Sequence, residues 1–194
     1  MTEQILTARY EAGLVYAAQL HATQCRKGGD IPYLSHLLAV SSIVIEHGGN
    51  EDEAIAALLH DGPEDQGGLA TLNEIRERFG DQVADIVEDC SDTFEKKKPD
   101  WADRKKAYIA HVVVAGPSTQ LVSMADKLHN ARSILMDYRT KGEDLWTRFN
   151  GGREGTLWYY RALVTAFSKA GRSPLFDELD RTVSELESAV SESK

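Results

Sequence analysis

The stretch AIAALLHDGPED, residues 54–65, decides how this chain is read. Residues 54–59 are aliphatic without a break, and they run straight into His60-Asp61. A Gly-Pro break follows, and Glu64-Asp65 close the segment. The apolar run predicts a short, buried helix over 51–60. Four ionisable side chains at the end of such a helix are costly to bury without partners. A divalent metal removes that cost, because neutral imidazole and carboxylate are its natural ligands. Neighbouring helical residues diverge by about 100°, yet both reach one ion placed beyond the helix end. Taken alone, the same pair also reads as a helix cap followed by a turn, so the rest of the chain has to arbitrate.

Outward from this segment, apolar residues recur at helical spacing almost throughout, and alternating strand patterns are absent. The fold class expected is all-α, a single-domain bundle of short helices. Helices are predicted over 5–25, 35–47, 51–60, 71–79, 81–91, 101–114, 118–139, 154–170 and 174–191. Thr71 followed by Glu74 has the capping-box pattern for a helix start, and Gly80 supplies the stop. Residues 94–100, with their lysine run 96–98, are expected to form a loop. The catalytic-type domain is expected over 1–171, with 172–194 a Ser- and Glu-rich helix packed on it or extending from it as a tail.

A chain of 194 residues buries enough surface to hold a core without metal or disulfides. Any metal site is therefore more plausibly catalytic than structural. The net charge of −9 argues against a broad nucleic-acid-binding surface. It leaves room for a phosphate-bearing small molecule, which needs only a few local cations or a metal. No stretch approaches the ~20 apolar residues of a membrane span, so no membrane partner is expected. The opening MTEQILTARYEAG lacks a basic region followed by an apolar core, so no secretory leader is expected. Two cysteines, Cys25 and Cys90, suit reduced thiols in a cytoplasmic protein.

Two further segments supply what a lone His-Asp pair lacks. In RKGGDIPYLSHLLAV (26–40), His36 opens an apolar helix. In LVSMADKLHNARSIL (121–135), Asp126 sits inside a strongly apolar helix, where propensity disfavours it. Asp126 and Asn130 are four residues apart and share a helical face. Spacing alone does not show that these segments converge.

Together, His36, the pair His60-Asp61 and Asp126 match the H…HD…D signature of the HD-superfamily phosphohydrolases. RKGGDIPYLSH, ALLHDGPED and ADKLHNAR, in that order, resemble the hydrolase domain of RelA/SpoT-type enzymes. The resemblance spans approximately residues 8–165. The short length is similar to that of the stand-alone alarmone hydrolases that include the metazoan SpoT homologues.

That resemblance implies a single divalent ion, expected to be Mn2+, held by His36, His60, Asp61 and Asp126. It implies that Glu64 and Asp65 position and deprotonate the attacking water, a role suited to a carboxylate beside a metal. It implies substrate contacts from Arg26 and Lys27, which suit base stacking or phosphate pairing, and from Asn130; Tyr33 fits either the pocket wall or the core, and Lys127 either the substrate or a structural ion pair. Arg153, in the less similar stretch FNGGREGTLWYYRAL (149–163), is a further candidate for a substrate phosphate. Trp158, Tyr159 and Tyr160 are expected chiefly to pack. Lysines 96–98 and 105–106 read as a solvated, charged loop, with electrostatic attraction of polyphosphate the alternative.

One departure is the Gly62-Pro63 pair, where the family usually carries a Thr-Val-like pair. Proline favours a helix start, so the carboxylates are still presented, but their placement is left open. The implied function is hydrolysis of the 3′-diphosphate of (p)ppGpp. Two alternatives stand beside it: the same chemistry on an adenine alarmone, (p)ppApp, or on another 2′- or 3′-phosphorylated nucleotide such as NADPH, and a non-catalytic nucleotide-binding module. A homo-oligomer is left open.

Overall fold

A computed structural model describes residues 6–91 and 99–192. Among these residues the chain is helical throughout, with no strand beyond an isolated bridge between Cys25 and Pro32. The helices are α1 (Ala8–Leu20), α2 (Leu34–Glu46), α3 (Glu51–Leu59), α4 (Gly62–Asp65) and α5 (Leu69–Phe79). They continue as α6 (Asp81–Cys90), α7 (Trp101–Val114), α8 (Pro117–Lys141), α9 (Gly152–Phe167) and α10 (Pro174–Glu192). Two short 3₁₀ helices, Gly142–Arg148 and Ser168–Ala170, follow α8 and α9.

The chain forms two compact units. The first comprises α1 to α6 and the part of α8 that ends at Ala125. Helix α3 is its centre, packed by α1, α2, α5 and α6. Residues Ala54 to Leu59 are all 0% exposed, which is why the segment carries no polar residue until His60. Each buried Leu or Ile contributes roughly 1.5–3 kcal/mol relative to leaving it in water. Gly13 sets how closely α1 approaches α3: a Cβ there would meet Ile55 Cγ2 at 3.3 Å. Asn50 caps α3 through a reciprocal box, its Oδ1 accepting from Glu53 N at 3.0 Å while its own N–H donates to Glu53 Oε2 at 2.7 Å.

The second unit comprises α7, α8 from Asp126 onward, α9 and α10. Here α9 is the centre, packed by α7 and α10. Helix α10 buries Leu175, Phe176, Leu179, Val183, Leu186 and Val190 along one side, at helical spacing. The Arg161 guanidinium ties α9 to α10, bonding Asp180 at 2.7 Å and Glu187 at 2.5 Å.

Two of the expected helices differ from the sequence reading for reasons visible in the structure. The helix expected over 5–25 ends at Leu20, because residues 21–33 turn and pair Cys25 with Pro32. The helix expected from Thr71 begins at Leu69, with Gly68 at φ 66° before it. Thr71 is therefore no cap: it is buried, and its hydroxyl donates to the Gln66 carbonyl at 2.7 Å. Glu74 pairs instead with Arg78, one turn on, at 3.0 Å. The expected loop over 94–100, with lysines 96–98, lies outside the described residues except for Pro99 and Asp100. Asp100 N-caps α7, accepting from Ala102 N at 2.8 Å.

Candidate metal centre

His60 is the C-cap residue of α3, and Asp61 is the N-cap residue of the single turn of α4. His60 is 2% exposed, and its Nδ1 lies 2.9 Å from the carbonyl of Ala57. A carbonyl only accepts, so Nδ1 carries the proton and Nε2 of the neutral ring presents a lone pair. His36, in the first turn of α2, is 0% exposed, and its ring meets that of His60 edge-on at 5.4 Å. The two Nε2 atoms lie 3.5 Å (His36) and 3.1 Å (His60) from one oxygen, Asp61 Oδ2. Imidazole lone pairs and a carboxylate oxygen at that range repel unless a cation, proton or metal, mediates between them.

Asp126 is 5% exposed on α8. His36, His60 and Asp126 each offer a ligand atom, and these atoms lie within 4.8 Å of one another. A buried set of two imidazoles and a carboxylate within reach of a single ion fits a divalent metal by donor chemistry. Both oxygens of Asp126 accept further bonds. Lys127 Nζ donates to Oδ2 at 2.6 Å, and Asn130 Nδ2 donates to Oδ1 at 2.5 Å. Lys127 also sits over the Tyr108 ring at 4.7 Å. The four-residue spacing of Asp126 and Asn130 thus gives a direct hydrogen bond.

Tyr33 precedes α2, and its hydroxyl donates to Asp61 Oδ2 at 2.6 Å. The Arg26 guanidinium lies 5.7 Å from the Tyr33 ring centroid. Lys27 is exposed in the same turn. Gly62 and Pro63 are both buried, with Pro63 in the first turn of α4 as proline prefers. A Cβ on Gly62 would meet Leu20 Cδ1 at 3.3 Å, a close side-chain contact. The pair therefore starts a helical turn, and that turn presents Glu64 and Asp65. Asp65 Oδ2 accepts from Gln24 Nε2 at 2.8 Å. Desolvation of its carboxyl, then the charge of Asp61, push its pKa upward even though part of the residue meets water; the Gln24 hydrogen bond opposes them.

Arg153 stands in the first turn of α9 and pairs with Glu143 at 3.3 Å and with the Val190 carbonyl at 3.3 Å. Tyr159 and Tyr160 are buried, whereas Trp158 is 41% exposed. Trp101 meets Trp158 and Tyr159 edge-on, each at 6.3 Å. Lys105 lies over Tyr159 at 4.9 Å. The sequence reading did not single out His21, Gln24 or Gln66, which bond among themselves and to Asp65. The one available signal was the polar pair His21 and Gln24 directly after an apolar helix and just before Arg26-Lys27.

The profile of the HD domain family matches residues 13–157. The chain is 38% identical over 122 residues to "Guanosine-3′,5′-bis(diphosphate) 3′-pyrophosphohydrolase MESH1" of Xenopus tropicalis, covering 61% of this chain and 65% of that protein. It is 31% identical over 137 residues to the Drosophila melanogaster protein of the same name, covering 69% of this chain and 74% of that protein. A solved structure, described as that of a metazoan ortholog of SpoT that hydrolyzes ppGpp, superposes with a TM-score of 0.77 at 25% identity. That superposition covers 93% of this chain and 96% of the other. The chain spans just under two thirds, 65%, of the length of the Xenopus relative. The all-α fold, the buried His-His-Asp group and the match over residues 13–157 agree, and the chain belongs to the HD domain family.

Proposed function

We propose that the chain is a metal-dependent hydrolase that removes the 3′-diphosphate of (p)ppGpp, giving GDP or GTP and pyrophosphate. The observation that carries this reading is the reach of His36, His60 and Asp126 to a single ion. Relatives named as guanosine-3′,5′-bis(diphosphate) 3′-pyrophosphohydrolases support the choice of substrate. His36, His60, Asp61 and Asp126 would hold the ion, with Mn2+ the proposed occupant; two imidazoles and two carboxylates suit it and leave coordination positions open. When bound, the ion supplies Lewis acidity, lowering the pKa of water and offsetting charge on phosphoryl oxygens.

The remaining work falls to the chain's own groups. Asp65, its pKa raised, is suited to accept the proton of the attacking water, with Glu64 beside it on α4. A water oxygen bonds to the phosphorus on the 3′ oxygen, that P–O bond breaks, and the 3′ oxygen takes up a proton. Tyr33 holds Asp61 in place, while Lys127 and Asn130 hold Asp126. Arg26 and Lys27 offer cations for the base or the phosphates. Arg153 would contact a phosphate only by exchanging its bonds to Glu143 and Val190. A cytoplasmic setting, with the protein acting on a free nucleotide, belongs to the same proposal.

Relative kcat/KM for ppGpp, pppGpp, ppApp and NADPH, with Mn2+ and with chelator, tests it. Preference for the guanine substrates with release of pyrophosphate is expected. Turnover of ppApp or NADPH alone would keep the chemistry and replace the substrate, and tight binding without turnover on any would make this a binding module.

A further inference from the structure

Asp65 stands at the end of a single helical turn and keeps part of its surface in water. The direction of such a carboxylate depends on what bonds it. Gln24 supplies that bond, its Nε2 donating to Asp65 Oδ2 at 2.8 Å across a sequence separation of 41. The other end of the same amide is held twice. Gln24 Oε1 accepts from Gln66 Nε2 at 2.5 Å and lies 2.7 Å from His21 Nδ1.

This network is consistent in one orientation only. A carboxylate accepts and does not donate, so the Gln24 NH2 must face Asp65 and its oxygen must face Gln66 and His21. A flipped amide would set oxygen against carboxylate and NH2 against NH2. His21 Nδ1 therefore carries its proton and donates. His21 is itself fixed: it is 3% exposed, and its ring stacks on Tyr33 at 5.2 Å with an interplanar angle of 22°. Tyr33 in turn donates to Asp61. One buried imidazole thus steadies two arms, one ending on Asp61 and the other on Asp65.

We infer that Gln24 is a positioning residue that aims the Asp65 carboxylate at the reacting water, and that His21 sets the orientation of the Gln24 amide. The inference rests on the role proposed above for Asp65. Neither residue touches the reacting atoms; both act through Asp65. Losing such an outer hydrogen bond typically lowers activity about 10- to 100-fold.

The test is steady-state pyrophosphate release from ppGpp by the full chain at saturating Mn2+, comparing Gln24→Leu, His21→Phe and Asp65→Asn, alone and combined. Gln24→Leu keeps bulk without donors; His21→Phe keeps the ring on Tyr33 without Nδ1. A kcat loss of about 10- to 100-fold for Gln24→Leu is expected, with KM within about twofold. A smaller loss, on the order of threefold to tenfold, is expected for His21→Phe. In the Asp65→Asn background, Gln24→Leu should add nothing further. Asp65→Asn reports on the underlying reading: wild-type kcat in that variant removes the role of Asp65 itself. An inactive Asp65→Asn beside a Gln24→Leu with wild-type kcat, or a full further loss in the double variant, overturns the inference alone. A readout independent of turnover is the side-chain amide of Gln24 in the 15N-labelled chain with Mg2+. Slow proton exchange that becomes fast in Asp65→Leu, which has no acceptor, is expected, and exchange at the rate of a free glutamine amide in the wild type would overturn the assignment.

Discussion

Tyr33→Phe deletes one oxygen and leaves the rest of its surroundings intact. The ring that stacks on His21 and underlies Arg26 stays, while the 2.6 Å donation to Asp61 Oδ2 is lost. A hydrogen bond to a charged group contributes about 1.5–3 kcal/mol. Asp61 lies at the junction of α3 and α4 with its side chain 23% exposed, and the Tyr33 hydroxyl is a donor that orients its Oδ2. Deletion therefore acts on the orientation of a proposed metal ligand, where losses of about 10- to 100-fold in metal affinity are typical. Most of the hydrogen-bond energy, about 1.4–2.7 kcal/mol on that scale, should appear in the Mn2+ dissociation constant. Titration of Mn2+ into the metal-free chain, followed through the electron paramagnetic resonance of free Mn2+, measures it directly. At saturating metal, kcat should recover to within a few-fold of wild type. A dissociation constant unchanged within twofold would refute the reasoning, because it would mean that Asp61 either does not ligate or is oriented without Tyr33.

Three further outcomes are expected. Gly151 has an ordinary backbone (φ −82°), but a Cβ there would meet the Trp101 ring at 2.5 Å. Gly151→Ala should therefore cost about 1–3 kcal/mol in urea unfolding, and it should be neutral or slightly stabilising in a Trp101→Ala background; equal costs in both backgrounds would contradict the contact. Glu178 is held down to about 2, from the ordinary 4.5, by its hydrogen bonds to Arg181 and then Arg132. Its contribution is therefore complete above about pH 4.5 and lost as pH falls toward 2. Glu178→Gln should cost about 1 kcal/mol at pH 7 after allowance for solvent screening, with a gap that narrows as pH falls from about 4.5 to about 2, whereas a pH-independent gap would remove the ion-pair explanation. Mn2+ at about 100 times its dissociation constant should stabilise the wild-type chain by ~2.7 kcal/mol. That is a rise of roughly 5–11 °C in Tm for a chain of this size, and it should be absent in His60→Ala.

How far the molecule was legible from its sequence follows from the range of each interaction. Helix α3 was readable because six consecutive aliphatic residues all face the core, and a carboxylate misplaced in an apolar helix pointed to Asp126. The shared face of Asp126 and Asn130 was readable because they stand one helical turn apart, but Asn130 read as a substrate contact and its bond to Asp126 was not foreseen. The bond from Tyr33 to Asp61 joins residues 28 apart, and that from Gln24 to Asp65 residues 41 apart. Neither leaves a periodic trace, so Tyr33 read as part of the pocket wall or the core and Gln24 as nothing in particular. Thr71 and Glu74 misled for the opposite reason. Their spacing is that of a cap, but Gly68 turns the chain earlier, and Thr71 is spent on the Gln66 carbonyl. Gly62-Pro63, a departure at the level of sequence, keeps a helical turn under the two carboxylates.

In the proposed reaction, an ion held by His36, His60, Asp61 and Asp126 enables this chain to hydrolyse the 3′-diphosphate of ppGpp. The most direct measurement is 31P NMR of ppGpp incubated with the purified chain, with Mn2+ or with chelator, beside Asp61→Ala. Conversion to GDP and pyrophosphate with Mn2+ only, abolished in Asp61→Ala, is the predicted result. Unchanged ppGpp in every tube, or equal turnover by the wild type in chelator, would contradict the account.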